Sequence, residues 1–101
     1  MRFFPVVIAL FVSACGTPTI LEAKDYKQSC TKNSECVAVY LGEVCKPCLC
    51  NNDAIAAEQS KIYEADFTGA QRSCSGPIPA VACGPCEAKA AVCDNGTCTL
   101  Q

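Results

Sequence analysis

Eleven cysteines in 101 residues constrain this chain more than any other feature of its sequence. A cysteine content this high is typical of small domains that are cross-linked by disulfides in an oxidising compartment. At this length the chain can form one compact domain, and multidomain enzymes are excluded. The absence of His excludes Ser-His-Asp and Cys-His nucleophile pairs, mixed Cys/His zinc sites and imidazole acid–base catalysis.

The first fourteen residues have the layout of a secretory signal peptide. Arg2 gives a positive start, an apolar run covers residues 3–12, and the small residues Ser13 and Ala14 follow it. The apolar run is too short to span a membrane, because a transmembrane helix needs about 20 apolar residues. The sequence therefore predicts that residues 1–14 are removed on export.

The residues around the predicted cleavage point carry a more specific signal. Val12-Ser13-Ala14-Cys15-Gly16 resembles the lipobox of bacterial lipoproteins, although that family prefers Leu where this chain has Val12. The resemblance covers residues 1–16 only, and it implies that Cys15 becomes a lipidated N-terminus. Two or more acyl chains give lasting attachment to a membrane, since each buried CH₂ contributes about 0.8 kcal/mol. The sorting rule of the family implies an outer-membrane destination in a Gram-negative cell, because Gly16 is not the Asp that retains lipoproteins at the inner membrane.

Ordinary signal cleavage is the alternative, and it would release a soluble protein with a thiol at Cys15. The number of cysteines favours lipidation, because ten remain once Cys15 is lipidated, an even number that can form five disulfides. Without lipidation one thiol is left over in an oxidising compartment. The ten cysteines predicted to form disulfides are Cys30, Cys36, Cys45, Cys48, Cys50, Cys74, Cys83, Cys86, Cys93 and Cys98.

The chain that remains after cleavage is poor in side chains that can build a core. Its aromatic residues are Tyr26, Tyr40, Tyr63 and Phe67. The few aliphatic residues barely offset an ordering cost of about 1–2 kcal/mol per residue, so disulfides at about 2–4 kcal/mol each are expected to complete the stability. Removal of Arg2 leaves seven basic and ten acidic side chains, a net charge of −3 without a basic face for nucleic acid.

The residue patterns predict a small disulfide-rich α+β domain over residues 30–101. The apolar run 36–41 predicts a buried strand, and residues 88–93 and 97–100 are predicted to form a hairpin that pairs with it. One helix is expected to pack on this three-stranded antiparallel sheet, with long cross-linked loops around it. Residues 15–29 are predicted to be the lipidated N-terminus and a flexible tether that contains a short helical turn.

The predicted helix covers residues 54–65. Its interior is rich in Ala, Glu, Gln and Lys, and Asn51, Asn52 and Asp53 offer N-caps before it. Gly69 is the expected stop. Residues 73–85 are expected to be irregular because Pro and Gly recur there.

The Asn95-Gly96 turn sets the geometry of the last two cysteines. A two-residue type I′ loop places Cys93 opposite Cys98, within bridging range. A three-residue loop breaks that register and leaves both thiols free to reach the loops around Cys36 or Cys45. The spacing leaves the disulfide connectivity open.

One short motif is typical of redox chemistry. Cys83-Gly84-Pro85-Cys86 matches the motif of thioredoxins, in which the first Cys is the attacking thiolate. Only 15 residues follow Cys86, too few for the remainder of that fold. We therefore predict a structural role, in which Gly-Pro bends the chain and the two cysteines reach different partners, and keep catalytic thiol–disulfide exchange as an alternative.

A zinc site is the other chemistry that the cysteine spacing suggests. Cys45-x-x-Cys48 and Cys83-x-x-Cys86 together have the spacing of a Cys₄ site. Export to an oxidising compartment favours disulfides instead, so we predict no metal and no cofactor. Carboxylate pairs such as Glu35 with Glu43 are interpreted as solvated surface, because a domain of this size rarely has a catalytic pocket.

These observations predict a non-enzymatic binding or structural module. It is held at a bacterial membrane through lipidated Cys15, and it presents loops 42–52 and 68–87 to an unknown protein or envelope partner, with no nucleic acid involved. An inhibitor of a protease or another hydrolase that uses residues 75–79 is an alternative based on architecture alone.

Overall fold

The computed structural model describes residues 18–101, so the predicted signal peptide and Cys15 lie outside the described residues. The described part contains one α-helix and four short strands. The elements are β1 (Cys36–Val39), β2 (Asp53–Ala56), α1 (Ser60–Arg72), β3 (Ala91–Asp94) and β4 (Thr97–Leu100). The predicted small disulfide-rich α+β class is confirmed, but the single three-stranded sheet is wrong, because β1 pairs with β2 and β3 pairs with β4 in two separate antiparallel sheets.

An extended segment, residues 27–30, connects the two sheets through backbone hydrogen bonds. The N–H of Ala56 in β2 donates to the Lys27 carbonyl at 2.8 Å, and the N–H of Cys98 in β4 donates to the Gln28 carbonyl at 2.7 Å. The Cys30 N–H in turn donates to the carbonyl of Gly96 at 3.0 Å. The hairpin therefore forms backbone hydrogen bonds with this segment, and the predicted pairing of the hairpin with β1 is wrong.

The helix lies further along the chain than the sequence predicts. Residues 54–56 belong to β2, where Ile55 faces Val37 across the pair and is fully buried. A single 3₁₀ turn, Ala57–Gln59, separates β2 from α1. The predicted stop at Gly69 is also wrong, since the helix continues to Arg72 and buries Ala70 completely. Pairing with β1 and burial thus override the helical propensity of the alanines.

The core lies between β1, β2 and one face of α1. One buried cluster contains Leu21, Tyr40, Val44 and Ala70, and a second contains Tyr26, Val39 and Ile55. Tyr63 on α1 packs against both clusters, together with Leu41. The helix therefore joins the two clusters into one apolar interior.

The described part of the predicted tether is packed on the domain. Leu21 and Tyr26 are each only 7% exposed, and Ile20 forms an isolated antiparallel bridge with Glu43. A short 3₁₀ turn, Ala23–Asp25, lies between the two buried side chains. Residues 18–29 are therefore part of the folded unit and do not form a flexible spacer.

The terminal hairpin has the predicted turn. Asn95 and Gly96 both adopt positive φ, at 51° and 81°, as a two-residue type I′ loop requires. The register places Cys93 opposite Cys98 and Asp94 opposite Thr97. Within residues 18–101, no helix is long and apolar enough to cross a membrane.

Candidate functional site: the cross-linked surface

Five disulfides use every cysteine between residues 18 and 101. The bonds are Cys30–Cys93, Cys36–Cys98, Cys45–Cys74, Cys48–Cys83 and Cys50–Cys86. The first two join the terminal hairpin to the start of the domain, across 63 and 62 residues. The other three join two loops in the middle of the chain, across 29 to 36 residues.

The hairpin cysteines do not bond to each other, although they face each other. Residues 28–30 lie beside β4, which brings Cys30 within 5.8 Å of Cys93 between Cα atoms, while Cys36 at the start of β1 lies 5.5 Å from Cys98. The sulfur atoms of Cys30, Cys36 and Cys98 lie within 4.8 Å of one another. These sulfurs belong to two disulfides in contact, which explains a grouping that otherwise resembles three metal ligands.

The remaining three disulfides define what we call the cross-linked surface. It consists of an anchor loop, residues 42–52, and a clamped segment, residues 74–86. Each bond joins one part to the other, with Cα–Cα distances of 5.5 to 5.6 Å. The first of the two predicted loops, 42–52, contains no helix or strand. The second, 68–87, is a loop only in part, because its first residues belong to α1, which ends at Arg72.

The Cys83-Gly84-Pro85-Cys86 motif does not close on itself. Cys83 bonds to Cys48, and Cys86 bonds to Cys50, so the two cysteines reach different partners. The same bonds, with Cys45–Cys74, occupy all four sulfurs considered for a Cys₄ zinc site. A disulfide sulfur is not a thiolate, so this oxidised surface offers neither an attacking thiolate nor a zinc ligand.

The anchor loop is closed at its base by one side chain. The Asn52 side-chain oxygen accepts a hydrogen bond from the Leu41 N–H at 2.9 Å, and its Nδ2 donates to the Leu41 carbonyl at 2.8 Å. The backbone N–H of Asn52 donates to Val39 O at 3.0 Å. Asn52, a predicted helix cap, thus extends the β1–β2 ladder with its side chain and holds the two ends of the loop together.

The other side of the anchor loop is fixed by the N-terminal segment. The Leu21 N–H donates to the Gly42 carbonyl, and the Val44 N–H donates to the Thr19 carbonyl, both at 2.9 Å. Glu43 accepts one hydrogen bond from the Thr19 hydroxyl at 3.0 Å and one from the Cys45 N–H at 2.9 Å. This carboxylate stabilises the loop and is half-buried, so it is not the solvated surface group that the sequence predicts.

Gly42 begins the loop at a position that only glycine fits. Its φ is +140°, and an added Cβ would lie 2.9 Å from the Tyr40 hydroxyl. That hydroxyl donates to the Glu43 carbonyl at 2.8 Å and closes the turn. The anchor loop is therefore held by backbone hydrogen bonds, side-chain hydrogen bonds and disulfides.

The clamped segment is exposed and uncharged. Every residue from 79 to 86 is exposed, including the large apolar Val81 at 53%, and residues 74–86 contain no Asp, Glu, Lys or Arg. Within the described structure, no backbone group from Pro77 to Cys86 forms a hydrogen bond with another backbone group. Its conformation is held by three disulfides and by Pro77, Pro79 and Pro85.

The shifted ionisable groups lie outside this surface. Hydrogen bonds from Thr31 lower the pKa of Glu35, which closes the 3₁₀ turn Asn33–Glu35. Burial raises the pKa values of Tyr26 and Tyr63, and Tyr26 also donates to Asp66 at 2.7 Å. These groups have structural partners within the domain.

A depression of about 430 Å³ lies outside the cross-linked surface, and no sequence pattern predicted it. It is formed by residues 29–35 and by the end of β2 with the 3₁₀ turn that follows. Its carboxylates are those of Glu35, which closes a turn, and Glu58, which pairs with Lys27 at 3.2 Å. Both carboxylates are therefore engaged by neighbouring residues of the domain.

Comparisons with protein-family models, curated proteins and solved structures find no match for this chain.

Proposed function

We propose that this chain is an extracytoplasmic bacterial lipoprotein that acts as a non-enzymatic binding or structural module. Its N-terminus is anchored in the membrane through lipidated Cys15, in the outer membrane where the cell has one. The cross-linked surface faces a protein or another component of the cell envelope. No cofactor, metal or nucleic acid takes part.

The observation that carries the proposal is the use of the cysteines. Ten of them form five disulfides between residues 30 and 98, and the cysteine outside this set is the one in the lipobox-like sequence. This division into one and ten is what an exported, lipidated and cross-linked domain requires. It also supports a non-enzymatic role, because both cysteines of the redox-like motif are bound in disulfides.

Anchoring is tested by fractionating cells that express the chain or its Cys15→Ser variant. We expect the wild-type protein in the membrane fraction and in the detergent phase of a phase separation, because acyl chains bind the bilayer. The variant lacks the lipidation site, so it should be absent from the membrane fraction and the detergent phase if it is cleaved. If it is not cleaved, it should retain its signal peptide. Wild-type protein that is soluble after cleavage would contradict the proposal and favour ordinary export.

The binding role is tested by photo-crosslinking in intact cells. A benzophenone amino acid replaces Val81 on the clamped segment, and in a matched control it replaces Glu64, an exposed residue of α1. We expect a discrete adduct from position 81 and none from position 64. Equal labelling at both positions would show that the clamped segment is not a preferred contact.

A second candidate is inhibition of an endopeptidase by the loop between Cys74 and Cys83. One observation favours it: these eight residues are closed at both ends by disulfides to the anchor loop, and the backbone from Pro77 onward is free to bond in a substrate cleft. A preorganised extended strand loses little entropy on binding. Failure to slow any member of a broad endopeptidase panel at micromolar concentration would reject this candidate.

A further inference from the structure

The five disulfides differ in how accessible they are to a reductant. Cys98 is 1% exposed, so the Cys36–Cys98 bond is shielded at one end. Cys48 and Cys83 are both exposed, and theirs is the one disulfide of the described structure with that property. Since exchange requires a thiolate to reach a sulfur atom, accessibility selects this bond as the first to be attacked.

The backbone at Cys48 adds a second reason. Its φ is 64°, in the left-handed region that residues with a side chain rarely adopt. Such a conformation persists only where the surrounding structure enforces it. Opening the bond to Cys83 releases Cys48 from the clamped segment and allows its backbone to relax.

The neighbouring bond supplies an acceptor for the thiol that is released. Cys86, three residues after Cys83, is exposed and bonded to Cys50, which lies two residues after Cys48. Three residues span at most about 11 Å, so the Cys83 thiolate cannot move far from the Cys86 sulfur.

We propose that Cys48–Cys83 is a redox-exchangeable disulfide and that its reduction transfers Cys86 from Cys50 to Cys83. A dithiol reductant attacks the Cys48–Cys83 bond, gives it two electrons and two protons, and becomes a disulfide itself. The Cys83 thiolate then attacks Sγ of Cys86, so that the Cys83–Cys86 bond forms and the Cys50–Cys86 bond breaks. Cys50 leaves as a thiolate and takes a proton, and the net product has one disulfide fewer, with thiols at Cys48 and Cys50.

In this exchange the protein is the substrate of the reductant and not a catalyst. Two bonds that hold the clamped segment on the anchor loop become one local bond inside the Cys83-Gly84-Pro85-Cys86 motif. The Cys45–Cys74 bond is then the remaining link between the two parts. Reduction therefore frees residues 75–86 from the anchor loop while the core and the hairpin disulfides stay intact.

The experiment exposes the purified full-length mature protein to graded dithiothreitol. Thiols are blocked with N-ethylmaleimide, the remaining disulfides are reduced and labelled with iodoacetamide, and each cysteine is assigned by peptide mass spectrometry; a parallel unreduced digest identifies the linked peptides. We expect Cys48 and Cys50 to be labelled by N-ethylmaleimide at a rate at least tenfold higher than any other cysteine. The unreduced digest should contain a Cys83–Cys86 linkage.

A double variant, Cys50→Ser with Cys86→Ser, tests the second step, because it keeps the first disulfide and removes the acceptor. In this variant we expect N-ethylmaleimide on both Cys48 and Cys83. The proposal is overturned if N-ethylmaleimide is found on Cys83 and Cys48 in the wild-type protein. It is also overturned if another disulfide opens first, or if all five disulfides open together. The wild-type labelling pattern decides between these outcomes even where the variant does not fold.

Discussion

The Tyr63 hydroxyl makes a contact that neither sheet provides. It accepts a hydrogen bond from the Tyr40 N–H at 3.1 Å and donates one to the Tyr40 carbonyl at 2.8 Å. Tyr40 directly follows β1 and is only 8% exposed. A side chain from α1 thus replaces the neighbouring strand that would otherwise pair with these backbone groups.

Substitution Tyr63→Phe should therefore be much more costly than the loss of one surface hydroxyl. It leaves a buried N–H and a buried carbonyl without partners, and each such group costs about 1–3 kcal/mol. The ring and its contacts with Tyr26 and Phe67 remain. We expect the free energy of unfolding to fall by about 2–4 kcal/mol.

The assay is urea unfolding followed by circular dichroism, with disulfides intact, in a protein that begins at residue 15 and carries Cys15→Ser. Ile62→Ala is the matched control, because Ile62 is the neighbouring helical residue and is 52% exposed. The control should change the free energy of unfolding by about 0.5 kcal/mol or less. A loss below about 0.5 kcal/mol for Tyr63→Phe would refute the role assigned to its hydroxyl.

Three further substitutions test the account of the fold. Gly69→Ala should raise the free energy of unfolding by about 0.5–1 kcal/mol in the same urea assay, because Gly69 is inside α1 and an added Cβ meets nothing within 4 Å; a loss of stability would contradict the continuous helix. Thr99→Val should raise it by about 1 kcal/mol, because the buried Thr99 hydroxyl has no hydrogen-bond partner in the described structure; a loss would reveal a partner. Glu35→Gln should destabilise the protein at pH 7, and the difference from wild type should shrink at pH 3 in thermal melts. The reason is that hydrogen bonds from Thr31 lower the pKa of Glu35 in the folded state, so the stability it contributes is present above about pH 4.5 and is lost as pH falls through the lowered value; a difference that is equal at both pH values would contradict this.

Local chemistry was sufficient to predict the turn of the terminal hairpin and its second strand, whereas its first strand is Ala91–Asp94 and not residues 88–93. Asn95-Gly96 favours a two-residue type I′ turn, in which both residues have positive φ, whereas the sequence left the strand register open between a two-residue and a three-residue loop. The strand predicted over residues 36–41 is present as β1, Cys36–Val39, because its β-branched apolar run favours an extended backbone. In both cases the signal lies within a few residues of the feature.

The helix boundary could not be predicted in the same way. The sequence Ala54-Ile55-Ala56 favours a helix in isolation, and what makes it a strand is pairing with β1, about 15 residues earlier in the chain. The Asn52 side chain could cap a helix or, as here, extend a ladder. Such choices depend on contacts that no local pattern contains.

The disulfide pairing and the position of the N-terminal segment were beyond sequence reasoning for a related reason. Cys93 and Cys98 face each other, yet each bonds to a cysteine more than 60 residues away, because residues 27–30 lie against the hairpin. The signal that was available for this segment is the presence of Leu21 and Tyr26 in a chain with few large apolar residues. Both side chains are buried, because a chain with few large apolar residues needs them in its core.

The most direct test of the central claim is a mass-spectrometric map of the mature protein purified from its native envelope, digested without reduction. We predict an N-terminal peptide that begins at acylated Cys15 and five linked pairs, with Cys83 bonded to Cys48 and Cys86 bonded to Cys50. An unacylated thiol at Cys15, or free thiols among the other ten cysteines in the oxidised protein, would contradict the division into one membrane anchor and five structural disulfides.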